Sequence, residues 1–471
     1  MSQILFVSAE VAPYSKAGGL ADVAGGLPPA LKAYKYNATN LSPLYGSINC
    51  QKFKLKETTI SGTVYLGKDA YLYKIWSNDD ESHWFVHNDE FFGRNGIYTD
   101  ARGEGFPDNN LRFFFFQKVA VDLIKRAHIN PKVVHCNDHH TALIPLMLKA
   151  VNENAATLLT VHNFQYQGWF SSDEFGLLTQ DEQNLINPVA TQHYNAMELG
   201  LHYAHHVNTV SPNYAKEILE IPDWSFGLFD KIQSIKDKFS GILNGVDYSY
   251  WNPQYDSHIE HRFDVENTFG KKLNKAALQV HCSWPVAPDT AVIGNISRLV
   301  DAKGYPLIID ILPDLMELDV QFVFLGTGME AIQNKLREFA NAYPKKIAYF
   351  NGYDEPFAHL IEAGADLFLM PSAFEPCGLN QIYSLKYGTL PIVHETGGLA
   401  DTVENWDGET GTGFSFNQHN SQALLETIVR AIQTYQDKKS REKLIQNAMK
   451  KDFSWSFAAK KYAALYKSLE S

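Results

Sequence analysis

Gly18-Gly19-Leu20-Ala21-Asp22 recurs, residue for residue, as Gly397-Gly398-Leu399-Ala400-Asp401 near the other end of the chain. Each copy follows an apolar, β-branched-rich run, Ile4 to Val7 in one case and Leu390 to Val393 in the other, and each opens a stretch of helical periodicity. A strand, a glycine pair and a helix start form a turn whose backbone N–H groups can face an anion. Two such turns, one per half, predict two similar α/β domains addressing one phosphorylated ligand. A chance repeat of a structural turn is the competing reading.

The segments between the two turns extend the pattern. Val133 to His135, Leu158 to Val161 and His206 to Val210 are short apolar runs that end in polar residues, and Leu111 to His128 has the spacing of a helix with an aromatic face. Thr63 to Trp76 with Ser82 to Val86 reads as a hairpin, because polar and apolar residues alternate. Asn244-Gly245, followed by Trp251-Asn252-Pro253, marks a junction. A second series then runs through Ala291 to Ile296, Val320 to Leu325, Ile347 to Phe350, Leu367 to Met370 and Leu390 to Val393. Strands alternating with helices predict an α/β chain of two Rossmann-like, doubly wound domains, 1–245 and 246–471, with the last helices able to cross back to the first domain. A ligand is expected in a cleft between them.

Length and composition agree. A chain of 471 residues exceeds one ordinary core. A net charge of -12 argues against a nucleic-acid partner, while local cations still suffice for a small phosphorylated ligand. Most of the abundant aromatic residues are expected in cores, although such faces also suit sugars and bases. Cys50, Cys136, Cys282 and Cys377 form no paired motif, so no zinc or redox site is expected. The chain enters a strand-like run without a basic leader, and its apolar runs fall short of about 18 residues, so a cytoplasmic location without a membrane partner is expected.

Ser15-Lys16-Ala17-Gly18-Gly19-Leu20-Ala21-Asp22-Val23 resembles the Lys-x-Gly-Gly-Leu signature of bacterial glycogen synthases and plant starch synthases. The resemblance continues through Thr160-Val161-His162-Asn163, Tyr166-Gln167-Gly168, Ile242 to Asp247, Ser297-Arg298-Leu299 with Lys303-Gly304, and Ala363 to Val403, in the family's order and over nearly the full chain. It implies a GT-B fold and transfer of glucose from a nucleotide-sugar, usually ADP-glucose, to the non-reducing end of an α-1,4-glucan with retention of configuration. The histidines have no metal-ligand spacing, so no metal and no further cofactor is expected.

Site residues follow by position. Arg298 and Lys303 match the family's diphosphate-binding pair, and Arg and Lys suit phosphate as fork and point charge. Glu375 matches the acid beside the transferred glucose, and His162 the histidine that contacts the donor sugar. Lys16, Gly18 and Gly19 are expected at the donor, with Thr396, Gly397 and Gly398 offering N–H groups to its diphosphate. Gly326 and Gly328 are expected to approach the nucleotide by their backbone. Tyr353 either stacks on the base or fills a core. Cys377, Gly378 and Leu379, in the Glu375 motif, are expected at the donor, with the Cys377 side chain itself read as packing. Asp22 either faces the donor sugar or stabilises its own helix start. Asp138 is expected on the acceptor side.

Several positions depart from the family pattern. A broader set of retaining GT-B enzymes has a second glutamate eight positions after Glu375, and here, as in the glycogen synthases, that position is not an acid but Tyr383. This favours a same-face mechanism over double displacement. His139 stands where a Trp is usual, Pro306 where an Asp is usual, Leu44 where an Arg is usual, and Phe226-Gly227-Leu228 keeps part of a longer loop. Two other readings compete: a related glucosyltransferase using UDP-glucose or a small acceptor, and a catalytically weakened glucan-binding scaffold. A dinucleotide oxidoreductase would need Gly-x-Gly-x-x-Gly after the first strand, which is not present.

Overall fold

The computed structural model describes residues 1–100, 102–189 and 193–470. The chain forms two compact units, one of residues 1–245 with 455–471 and one of residues 246–454. The expected second domain therefore ends at Ser454, and only the last helix, Trp455–Leu469, belongs to the first unit. Its buried face explains this. Tyr466 Oη bonds Nδ1 of His135 at 2.7 Å, and Asn208 Nδ2 donates to Tyr462 Oη at 3.1 Å. Gly26 leaves room for the Trp455 indole, where a Cβ would collide.

In unit 1 the strands are β1 Ser2–Val7, β2 Tyr36–Pro43, β3 Lys56–Leu66, β4 Asp69–Ser77, β5 His83–His87, β6 Val133–Asn137, β7 Ala156–Val161, β8 Trp169–Phe170, β9 Tyr194–Asn195, β10 His206–Thr209 and β11 Phe239–Gly241. Among the described residues the main sheet runs β11-β10-β7-β6-β1-β2-β5-β4-β3, and β8 and β9 pair separately. It is parallel except at β3 and β4. The hairpin expected from Thr63 to Val86 is instead three strands. Its tight turn falls inside the first run, at Gly67 (φ 61°), with Leu66 opposite Asp69. A two-residue turn needs left-handed backbone, which Gly supplies at least cost.

Unit 2 holds β12 Ala291–Ile296, β13 Val320–Gly326, β14 Ile347–Asn351, β15 Leu367–Met370, β16 Leu390–His394 and β17 Phe414–Phe416. All pair in parallel in the order β14-β13-β12-β15-β16-β17. These strands are covered by helices on both faces, so they read as nearly continuous apolar runs (Val292, Ile293, Val323, Phe324, Phe368 and Ile392 are fully buried). Each sheet reverses its winding once, between β1 and β6 in unit 1 and between β12 and β15 in unit 2. At such a point neighbouring loops leave in opposite directions and open a crevice at the carboxyl ends of the strands.

Candidate active site

In unit 2 that crevice is a cavity of about 200 Å³, lined from β12 by Ile296, Ser297 and Arg298, from β15 by Met370 and Ser372, and by Lys303, Glu375 and Gly378 to Asn380. Lys303 closes a short 3-10 turn, and Gly304 follows in the left-handed region (φ 80°). A side chain at Gly304 would meet the Pro371 carbonyl oxygen, so glycine lets this turn lie against the strand end that carries Glu375. Lys303 Nζ then reaches Glu375 Oε2 at 2.5 Å, and Ser372 Oγ donates to the same oxygen at 3.0 Å. Arg298 is exposed at the cavity and has no carboxylate partner among the described residues. The cavity thus offers one uncommitted guanidinium and one ammonium–carboxylate pair, a set able to hold a phosphate and hydrogen-bond a sugar hydroxyl.

At the second Gly-Gly turn two of the N–H groups have partners within the protein. Thr396 N–H donates to the His394 carbonyl at 2.8 Å, and Gly398 N–H to the Glu375 carbonyl at 3.0 Å, so these two donors are committed within the protein. Gly397 sits at φ 44°, and a Cβ there would overlap the Glu375 carbonyl oxygen. A Cβ on Gly398 would overlap the Cys377 carbonyl. The glycines are needed because two backbone segments touch, and what they position is Glu375. Gly326 and Gly328 serve a like purpose against Ser297 and Leu299, where Leu299 N–H donates to the Thr327 carbonyl at 2.9 Å. Cys377 is buried, as expected of packing, and Gly378 takes φ 69°. Tyr353 is 67% exposed, which removes the core reading. Tyr383, in the second-acid position, lies buried with its ring 4.2 Å from Trp251, and Trp251 stacks at 3.7 Å on His359.

In unit 1 the crevice between β1 and β6 gathers acids. Ala17 and Gly18 donate their N–H groups to Glu10, the latter at 3.0 Å, and Tyr98 Oη donates to Glu10 at 3.1 Å. The anion at the first Gly-Gly turn is therefore a side chain of the protein itself. Burial raises the Glu10 carboxyl above the usual range despite these bonds. Asp138 follows β6 in a left-handed conformation (φ 56°), a strain that a non-glycine residue bears only when its surroundings demand it. Its Oδ1 accepts from His162 N–H at 2.7 Å, and burial pushes its carboxyl up to about 7. His162 is pushed down to about 3 by burial and stays neutral. Its Nε2 lies 3.0 Å from Asn137 Oδ1. Because the Asn137 amide nitrogen donates to the Val7 carbonyl, the oxygen faces His162, and the imidazole proton sits on Nε2. Lys16 pairs with Asp22 at 2.7 Å, which places the lysine beside the start of helix Gly19–Leu31 and gives Asp22 a partner besides the helix end.

The sequence profile of the starch synthase catalytic domain matches residues 3–230, and that of glycosyl transferases group 1 matches residues 281–451. Glycogen synthase of Cellvibrio japonicus is 40% identical to this chain over 493 aligned positions that cover all of both chains. The chain belongs to the glycogen and starch synthase family. Glycogen synthase 1 of Geobacter metallireducens is 39% identical over 98% of this chain and 95% of its own. The catalytic domain of starch synthase IV from Arabidopsis thaliana, solved with ADP and acarbose, superposes with a TM-score of 0.91 at 30% identity, covering 100% of this chain and 99% of that one. The fold is GT-B and the protein is a glycosyltransferase of the glycogen synthase type.

Within this glycosyltransferase, Lys303, Arg298, Glu375, Gly378 and Leu379 come together at one cavity, whereas Asp138 and His162 gather in unit 1. Sequence reading missed Glu10, Tyr98 and Ser372. Tyr98 reaches Glu10 from 88 residues away and leaves no local sign, whereas Ser372 and Glu10 act on neighbours within eight residues, Glu10 as an acid between a buried strand and a glycine turn. Among the described residues no helix is long and apolar enough to cross a membrane.

Proposed function

We propose that this enzyme transfers glucose from ADP-glucose to the 4-hydroxyl at the non-reducing end of an α-1,4-glucan, with retention of the α configuration. The observation that carries the proposal is the Lys303–Glu375 pair beside the uncommitted Arg298, at the winding reversal of a sheet in a glycogen-synthase-type chain. Relatives of this chain are glycogen synthases, and a solved relative was crystallised with ADP and acarbose.

In the proposed reaction the bond between the anomeric carbon and the β-phosphate oxygen breaks as the acceptor oxygen bonds that carbon from the same face. The acceptor proton passes to the departing phosphate oxygen, and ADP leaves. Charge grows on the phosphate, and Arg298 with Lys303 offsets it without a metal. Glu375 hydrogen-bonds sugar hydroxyls and faces the cation-like ring. Tyr383 offers no carboxylate for a covalent intermediate and is turned into the core, in keeping with the same-face route. Lys16 serves the donor, Tyr353 its base, and neutral His162 the donor sugar, while Asp138 serves the acceptor side.

The test is glucose incorporation from labelled ADP-glucose and UDP-glucose into glycogen and short maltooligosaccharides, with and without EDTA. Incorporation from ADP-glucose, unaffected by EDTA and yielding an α anomer by NMR, is expected. Preference for UDP-glucose would reassign the donor, and no transfer from any donor would favour a glucan-binding scaffold.

A further inference from the structure

Glu375 ends a segment that has left its sheet. After β15 the Pro371 and Ser372 carbonyls face no neighbouring strand, yet both accept hydrogen bonds from imidazoles. His394, the last residue of β16, places Nδ1 at 2.8 Å from the Ser372 oxygen. His419, beyond β17, places Nε2 at 3.0 Å from the Pro371 oxygen. A carbonyl only accepts, so each nitrogen carries the proton. The two rings lie 4.9 Å apart, His394 buried and His419 exposed. Burial lowers the basicity of His394, against the carbonyls of Ser372 and Asn417, whose contacts with the ring raise it.

Main-chain bonds also tether this segment. Ala373 N–H donates to the Ala302 carbonyl at 2.9 Å, and Gly398 N–H to the Glu375 carbonyl at 3.0 Å. The Ser372 hydroxyl then holds Glu375 Oε2, the oxygen that also takes Lys303. From these contacts we infer that His394 and His419 are positioning residues. They fix the Pro371–Ser372 backbone so that Ser372 presents Glu375 to Lys303. The inference rests on the reading of Glu375 proposed above. The bonds at Ala373 N–H and the Glu375 carbonyl do not themselves fix the Pro371 and Ser372 carbonyls. The imidazoles fix them, and geometry within about 0.5 Å is what a charge-stabilising site requires.

The two bonds use different ring nitrogens, which gives a test that bulk or stability cannot imitate. An Asn amide nitrogen falls where Nδ1 of a histidine lies, and a Gln amide nitrogen falls near Nε2. We expect His394→Asn to keep kcat within about twofold and His394→Gln to lose about tenfold, the rate equivalent of one net hydrogen bond. At position 419 the order inverts: His419→Gln is kept and His419→Asn loses activity. KM for ADP-glucose and the melting temperature should stay near wild type in all four variants. Equal effects of Asn and Gln at both positions overturn the inference, as does a loss seen only in KM.

Crystal structures of His394→Gln and wild type give a readout independent of turnover. The 2.5 Å Lys303–Glu375 contact should lengthen in the variant, and an unchanged contact overturns the inference whatever the activity. Glu375→Gln is assayed in parallel. Wild-type transfer by that variant would refute the role of Glu375, and the crystallographic distance would still judge the positioning.

Discussion

Replacing Asp138 with asparagine should make the enzyme more stable above neutral pH while stopping glucose transfer. The Asp138 carboxyl titrates at about 7 in the folded chain against 3.8 for a free one, with burial as the main cause. A folded-state value above the unfolded one means that the folded chain holds the proton more tightly. The associated stability is complete below about pH 4 and is lost as pH rises through about 7. The gap of about 3 pH units, at about 1.4 kcal/mol each, sets the loss at about 4 kcal/mol. Asparagine mimics the protonated acid: it keeps an oxygen for His162 N–H and cannot ionise. At about pH 4 the two proteins should therefore melt nearly together, and the gap should open as pH rises. At about pH 8 the variant should melt higher by about 8 to 16 °C, on the scale of 2–4 °C per kcal/mol for a domain of this size. Scanning calorimetry in buffers matched for ionic strength provides the comparison. Glu10, raised in the same direction, adds its own slope, and Glu10→Gln separates the two. Parallel melting curves for wild type and Asp138→Asn from about pH 5 to 8 would refute the reasoning.

Three further outcomes follow from the packing. Arg298→Ala and Lys303→Ala should each lower kcat for glucose transfer by about 10²- to 10³-fold, the range for removal of a charge-stabilising donor, and steady-state kinetics with ADP-glucose checks both. Gly397→Ala should destabilise unit 2 and reduce activity, because a Cβ at φ 44° would overlap the Glu375 carbonyl; a melting curve and turnover identical to wild type would contradict this. Trp251→Ala removes the buried ring stacked between His359 and Tyr383, beside the buried His359–Asp256 contact at 2.7 Å. A loss of about 3–5 kcal/mol in urea unfolding is expected, as for other buried aromatic truncations.

The order of strands and helices was legible because it depends on local pattern. Buried parallel strands must be apolar along their whole length, so Ala291 to Ile296 and Leu367 to Met370 announced themselves with their observed bounds. The turn at Gly67 was misplaced because its flanks alternate on both sides, and one glycine carries the only signal. The last helix reads as an ordinary amphipathic segment. Its attachment to unit 1 depends on Tyr462 and Tyr466 meeting Asn208 and His135, hundreds of residues away.

The sequence by itself determined the α/β class and a two-domain division near Gly245, and its motif spacing singled out Lys303, Arg298, Glu375, His162 and Asp138 as candidates, since both are local properties. The tertiary structure alone decided what those residues meet. Glu10 occupies the first glycine turn, Gly398 of the second turn donates its N–H to the Glu375 carbonyl, and burial leaves Asp138 half-titrated near neutrality while keeping His162 uncharged. The physical reason is that hydrogen bonding and desolvation depend on distances between atoms, and folding sets those distances between segments that the chain keeps far apart.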